Sequence, residues 1–256
     1  MNNTNRRELR NKPLIEAIFE IRWRLDQVAP GILMDPNYKL NLGRLYEQLK
    51  DDYPAYEKLP MAAVPEDMVP YVVQHRFRVG ENRWPLTQIG PGILTLNDTE
   101  NYNWEDFKLR IQKLLKVLEK VLNYTTYERI SLTYVNAVDF EYNKDNVLDF
   151  LKNNLGIEIN VRDRLFKDGI VNRQPVGFDF KVDYPTLEPK GVITLHFEKG
   201  WVYNKESLIW SIIVATIGSN VAQSSDEILK WVEKAHELAE NWFFTLLDQD
   251  FLRRFE

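Results

Sequence analysis

Three histidines, two arginines two residues apart and a spaced pair of glutamates are the side chains of this sequence best suited to chemistry. Histidine titrates closest to neutral pH, so each is weighed as an acid–base group or ligand. His75 falls in the apolar row of an alternating run, Tyr71, Val73, His75, Phe77 and Val79. A histidine there reads as a core residue hydrogen-bonded inside the fold. His196 alternates with Ile193, Leu195 and Phe197, and therefore shares the polar row with Thr194 and Glu198. It is the strongest single candidate for catalysis or ligand contact, although a solvated histidine on a sheet is the commoner case. His236 follows Leu229 and Val232 along a helical stripe and reads as packing between helix and sheet. No HxH, HxxxH or HExxH spacing occurs, and there is no cysteine. A metal would have only carboxylates and distant histidines to draw on, so no metal ligand, catalytic residue or cofactor is assigned.

Arg76 and Arg78 share a strand face with Gln74 by period-two counting, and Gln88 falls on a polar row nearby in the chain. A guanidinium row offers planar forks to an anion, a nucleic-acid backbone or an acidic partner. Arg76, Arg78, Gln74, Gln88 and His196 are therefore the expected ligand- or partner-binding set. Binding of a small anion or nucleotide would require Arg76, Arg78, Gln88 and His196 to converge on one cavity. Glu16 and Glu20 lie on one face of a strand about 13 Å apart, too wide for a direct carboxylate pair. Salt bridges to Arg22, Arg76 or Arg78 are the expected role. Gly90-Pro91-Gly92 has no following helix and no lysine at phosphate-loop spacing, so it reads as a turn or bulge. GxSxG and SxxK nucleophile motifs are absent.

The elements that would hold these residues come from the hydropathy pattern. Leu14–Trp23 alternates, with Ile15, Ala17, Phe19, Ile21 and Trp23 on one face. A helix is expected over 41–53, strands over 71–79, 84–89 and 93–97, and a helix over 103–123 with Asn103 as its cap. A strand over 129–140 closes the first half, with Asn136 in its apolar row. The second half opens with a helix over 147–155 that stops at Gly156. Strands near 157–165, 176–183, 191–198 and 207–217 follow. A helix over 225–247 begins in a Ser224/Glu227 capping box. The strand at 207–217 is apolar on both faces and belongs in the middle of a sheet. Most tryptophans read as core by period, and exposed ones as interface anchors. The expected fold is a two-layer α+β protein of two related lobes, 1–143 and 144–256. Each is a mostly antiparallel sheet packed on a long helix, with the other sheet face left polar.

The chain has 256 residues, 44% hydrophobic and 28% charged, within the range of ordinary globular domains. A net charge of −5 argues against a general nucleic-acid field. The polar start, MNNTNRRELRNK, shows no secretory leader and reads as an arm, and the longest apolar stretch, Leu208–Ile217, is too short for a membrane span. A cytoplasmic location is the expectation.

NKPLIEAIFEIRW, LTQIGPGILTLND with NYNWEDFK, RISLTYVNAVDF and KAHELAENWFFTLL occur in that order along nearly the whole chain. In this the sequence resembles a family of roughly 250-residue prokaryotic proteins of scattered distribution and no assigned function. The resemblance implies no reaction and no site residues. Scattered distribution is typical of mobile or defence-associated genes. The expected function is a non-enzymatic interaction module that pairs with a protein partner or with itself as a dimer, as the neutralising or sensing member of an antiviral defence or toxin–antitoxin pair. A small-ligand or nucleotide binder, enzymatic or not, with a cavity between sheet and helix is the alternative, and a nucleic-acid binder through the arginine face is the third reading.

Overall fold

Strict alternation commits Leu14–Trp23 to a strand that can bury one side only, and this strand, β1, lies near the middle of the sheet. The computed structural model describes residues 9–99, 101–122 and 126–256. After β1 come a small hairpin of β2 (Asp26–Ala29) and β3 (Ile32–Met34), then helix α1 (Tyr38–Leu49) and β4 (Ala55–Lys58). β5 (His75–Arg78), β6 (Leu86–Gly90), β7 (Ile93–Asp98) and helix α2 (Trp104–Leu122) follow. The rest of the chain supplies β8 (Tyr127–Asp139), α3 (Val147–Leu155), β9 (Asp179–Leu187), β10 (Lys190–Val202), β11 (Lys205–Ile217), α4 (Ser225–Leu246) and α5 (Gln249–Leu252). Among the described residues, nine strands form one sheet in the order β4-β5-β6-β7-β1-β8-β11-β10-β9. Every neighbouring pair is antiparallel. The class is α+β.

Register decides which rows share a face. Phe19 pairs with Leu132 and Leu96, and Ile21 with Ile130 and Leu94. Val214 extends the row beyond Leu132, and Ile193 beyond Val214. These side chains are buried under the helices, where Phe107, Ile111, Leu114 and Leu118 form the apolar stripe of α2 and Ile228, Val232, Ala235 and Ala239 that of α4. The three long helices stand side by side. Lys120 Nζ of α2 donates to Gln48 of α1 at 2.7 Å, and Lys108 of α2 pairs with Glu233 of α4 at 3.2 Å. α3 and α5 close the same layer through Phe150 and Phe251, the latter against the fully buried Trp210. The opposite rows hold Glu16, Glu20, Arg22, Arg76, Arg78, Thr194 and His196.

Local signals set the ends of several elements. Gly156 ends α3 in the left-handed conformation, φ 62°, where a side chain would be strained. Ser224 and Glu227 form the reciprocal capping box of α4. Asn103 Oδ1 accepts from the Asp106 amide at 3.2 Å and starts α2. Two expectations need correction. The strand expected near 157–165 is absent: a 3-10 turn, Asp163–Phe166, stands there instead. Ile157 and Ile159 pack on the core, but their backbone finds no sheet neighbour among the described residues. The run 71–79 is a strand only over β5, because Tyr71 adopts φ 61° and turns the chain to meet the Pro91 carbonyl. β2, β3 and β4 are too short to show a period. Of the N-terminal arm, residues 1–8 lie outside the described residues. Leu9 is buried and the Asn11 amide bonds the Phe255 carbonyl at 3.0 Å, so the arm docks where it is described.

Candidate functional site

The helix-free face carries a connected chain of polar side chains across five strands. Register places Glu57 of β4 opposite Arg76 of β5, Arg76 opposite Gln88 of β6, and Gln88 opposite Thr95 of β7. Arg76 donates through Nε and Nη2 to Gln88 Oε1 at 3.1 and 3.0 Å, and through Nη1 to Glu57 Oε2 at 3.2 Å. Arg78 donates through Nε to the same Glu57 oxygen at 3.2 Å and lies over the Trp84 ring. Gln88 Nε2 donates to Asn97 Oδ1 at 3.3 Å, and Asn97 Nδ2 to Glu16 Oε1 of β1 at 2.7 Å. Burial pushes the Glu57 carboxyl up, but the Arg78 and Arg76 contacts outweigh it and hold this group below the usual carboxylate range. Glu16 behaves oppositely. Burial raises its carboxyl, and neither the Asn97 hydrogen bond nor the Arg76 charge cancels that effect. Glu20 continues the pattern inward, paired with Arg22 at 2.8 Å and Arg129 at 3.1 Å. Glu20 is thus salt-bridged to Arg22 as expected, whereas Glu16 accepts a hydrogen bond from Asn97.

Arg76, Arg78 and Gln88 lie together on this face, tied by hydrogen bonds, but they do not converge with His196. His196 belongs to β10, six strands from β5 in the sheet, or roughly 29 Å at the usual strand spacing. Its Nε2 lies 2.9 Å from Asp179 Oδ1, a pairing local to β9 and β10. Period counting gives the face of a residue but not its strand's place in the sheet, which is why the expectation fails. Gln74 is also displaced: it precedes β5, is buried, and joins the sheet through its backbone, with its amide bonding the Ile89 carbonyl at 2.8 Å. Arg76 and Arg78 keep only 24% and 13% of their side-chain surface exposed, so their forks are turned toward Glu57 and Gln88 rather than outward.

His75 and His236 are buried. Tyr56 Oη lies 2.8 Å from His75 Nδ1 and the two rings stack, while burial and the nearby Lys58 hold that imidazole below its ordinary value. His236 lines a cavity of about 320 Å³ bounded by the N-terminal arm, the start of α2, β8 and the later part of α4. Its ring stacks on Trp104 with centroids 3.6 Å apart. Its Nδ1 lies 2.7 Å from Tyr134 Oη, which is 2.9 Å from Tyr102 Oη. Sequence reasoning missed this cluster. The available signal was polar character in an apolar row, since Tyr134 and Asn136 both sit on the helix-facing side of β8. Joining them to His236 requires knowing that α4 crosses β8.

A third feature is apolar exposure. Half of the exposed large hydrophobic side chains among the described residues fall between Val161 and Tyr203. Leu187 is 97% exposed at the β9–β10 turn, and Trp201 and Tyr203 are 67% and 80% exposed at the β10–β11 turn. β9 is the last strand of the sheet, and its outer side has no strand neighbour among the described residues. Among the described residues no three His, Asp or Glu side chains are grouped to hold a metal ion, and no helix is long and apolar enough to cross a membrane. No family model matches this chain, and no curated protein matches it.

Proposed function

We propose that this chain is a non-enzymatic protein-interaction module whose contact surface is β9 and the exposed side chains at its two ends. One observation carries the reading: Leu187, Trp201 and Tyr203 expose large apolar surfaces around a strand whose outer edge is unpaired among the described residues. An isolated exposed leucine needs no explanation, but aromatic anchors beside a free edge are what an interface core requires. An open edge is also a hazard that proteins blunt or cover. Here Lys181, Asp183 and Pro185 discourage indiscriminate pairing, which suits a specific partner.

The order of elements supports the two-lobe reading within this proposal. Strand β1 is followed by helix α1, a meander β5-β6-β7 that returns beside β1, and helix α2. Strand β8 is followed by helix α3, a meander β9-β10-β11 that returns beside β8, and helix α4. We read this as a repeated unit, β1 through α2 and β8 through α4, whose halves meet where β1 pairs with β8, which moves the boundary from the expected 143/144 to between α2 and β8. We also place the chain in the scattered prokaryotic family that its sequence resembles. Such distribution suits a neutralising or sensing member of a defence or toxin–antitoxin pair, with the partner encoded next door.

Light scattering of the purified chain, alone and mixed with the product of the adjacent gene, tests the interaction. A dimer or a stoichiometric complex is expected, burying about 1,600 Å² in total. Trp201→Ser with Tyr203→Ser should dissociate it while leaving the circular dichroism spectrum unchanged. A monomer at micromolar concentration that associates with neither itself nor the neighbour overturns the proposal. So does a complex indifferent to the double substitution.

A further inference from the structure

β9 is the longer of the two edge strands, nine residues against four in β4. Its outer side has no strand neighbour among the described residues. The Lys199 amide donates to the Phe178 carbonyl at 3.2 Å, which fixes the parity of the backbone along β9. Even-numbered residues turn their N–H and C=O groups toward β10, and Asp179, Lys181 and Asp183 turn theirs outward. Pro185 falls in the outward set, where its missing N–H takes nothing from the β9–β10 ladder. The side chains divide in the same way. Phe180 and Tyr184 meet Phe197 and Trp242 on the helix side. Lys181 and Asp183 lie opposite His196 and Thr194 on the helix-free side, more than half exposed, with their charged groups 3.7 Å apart.

This pattern is complementary to itself in one register. When two copies of a strand pair antiparallel, outward groups face outward groups only if the twofold axis passes through a residue. With Lys181 on the axis, Lys181 meets its own copy and Asp179 meets Asp183. With Asp183 on the axis, Asp183 meets Asp183. Like charges directly opposed destabilise a strand pair. With Tyr184 on the axis no opposite charges meet, and with Phe180 on it only residues 179–181 of the strand are opposed. With Val182 on the axis, Lys181 of each copy faces Asp183 of the other, Phe180 faces Tyr184, and residues 179–185 are opposed throughout. The ends agree with the middle. Antiparallel pairing sets the end of one β9, where Leu187 is exposed, beside the start of the other, where Val176 is exposed and its carbonyl accepts from Lys199. We propose that the partner at β9 is a second copy of this chain, paired antiparallel with Val182 on the twofold axis, an assignment that rests on the reading of β9 as the contact surface. Two nine-stranded sheets then become one, and each open edge covers the other.

Light scattering of the purified chain at micromolar concentration should find a dimer. Lys181→Asp opposes like charges at two places and should weaken it at least about tenfold. Adding Asp183→Lys restores opposite charges in reversed order and should recover the dimer. Both side chains are exposed, so thermal unfolding should leave the variants close to the natural chain. The absence of cysteine allows the register to be read separately. Val182→Cys should cross-link to its own copy under mild oxidation, because directly opposed side chains of a strand pair come within disulfide reach. Tyr184→Cys should not, since its copy lies four residues away, about 13 Å along the strand. Amides of Lys181 and Asp183 should exchange more slowly in the dimer than after dilution to the monomer. A monomer that still binds the neighbouring gene's product, and loses it on Trp201→Ser with Tyr203→Ser, overturns the second copy and leaves the contact surface standing. A monomer that binds nothing overturns both. A dimer that Lys181→Asp does not weaken, or one in which Tyr184→Cys cross-links as fast as Val182→Cys, overturns the pairing proposed here.

Discussion

Glu16 carries its charge where the surroundings disfavour it, and that has a measurable sign. Burial raises its carboxyl above the ordinary value of 4.5 despite Asn97 and Arg76. A raised folded-state value means that the fold prefers the protonated form. The group's contribution is therefore fully present below pH 4.5 and is lost as the pH rises through the folded value. Glu16→Gln keeps an acceptor for Asn97 and removes the charge. It should raise the melting temperature at pH 7, with the difference shrinking as the pH falls toward 4.5. Thermal unfolding of both proteins across that range checks it, and a lower melting temperature at pH 7 would put the Arg76 attraction ahead of desolvation. The residue scale also shows what the sequence can reveal about a site. The faces of Glu16, Arg76, Arg78 and Gln88 follow from alternation alone. That Arg76 and Arg78 are occupied by Glu57 does not, because β4 is only four residues long and shows no pattern. Nor does the separation of His196 from the arginines, which depends on strand order.

At the scale of elements, local chemistry is most legible where a cap or a period acts alone. The capping box at the start of α4 is written in Ser224 and Glu227, three residues apart before an apolar stripe. Ser224→Ala should therefore cost about 0.5–2 kcal/mol in urea unfolding, the usual range for a lost N-cap. A change below that range would show that tertiary packing of α4 already fixes its first turn. The stop at Gly156 and the start at Asn103 were equally readable. By contrast, the segment after Gly156 has alternating apolar residues and yet forms no strand. Alternation states only that one side is buried, and Ile157 and Ile159 achieve this without a neighbouring strand among the described residues. The same limit explains Tyr71, whose positive φ no period can announce. Close approach is similarly invisible: a Cβ on Gly90 would lie 1.9 Å from the Val72 carbonyl oxygen, so that crossing of chain over sheet exists only because the residue is glycine.

The whole molecule is organised around β1 and β8, the pair through which strands from both parts of the chain become one sheet. Their central place predicts a gradient in protection. Amides of β1, β8 and β11 should exchange slowest with solvent and those of the edge strands β4 and β9 fastest, since local opening of an edge breaks hydrogen bonds on one side only. Hydrogen exchange read by mass spectrometry checks this, and slow exchange throughout β9 in the isolated chain would show that its edge is already covered. The α+β class was legible from the sequence because the periods switch between two and 3.6. The continuity of the sheet was not, because nothing in a strand's own residues names its neighbours. The pairing of β8 on both sides has a further consequence during synthesis. β1 must wait for residues 127–139 before its second neighbour exists, and β8 must then wait for residues 205–217. At about 5–20 residues per second, the 78 residues between Asp139 and Ile217 take the ribosome roughly 4–16 s. For that interval the growing chain holds a long, unsatisfied strand at its centre. The nascent protein thus exposes at β8 an edge that the finished sheet pairs on both sides.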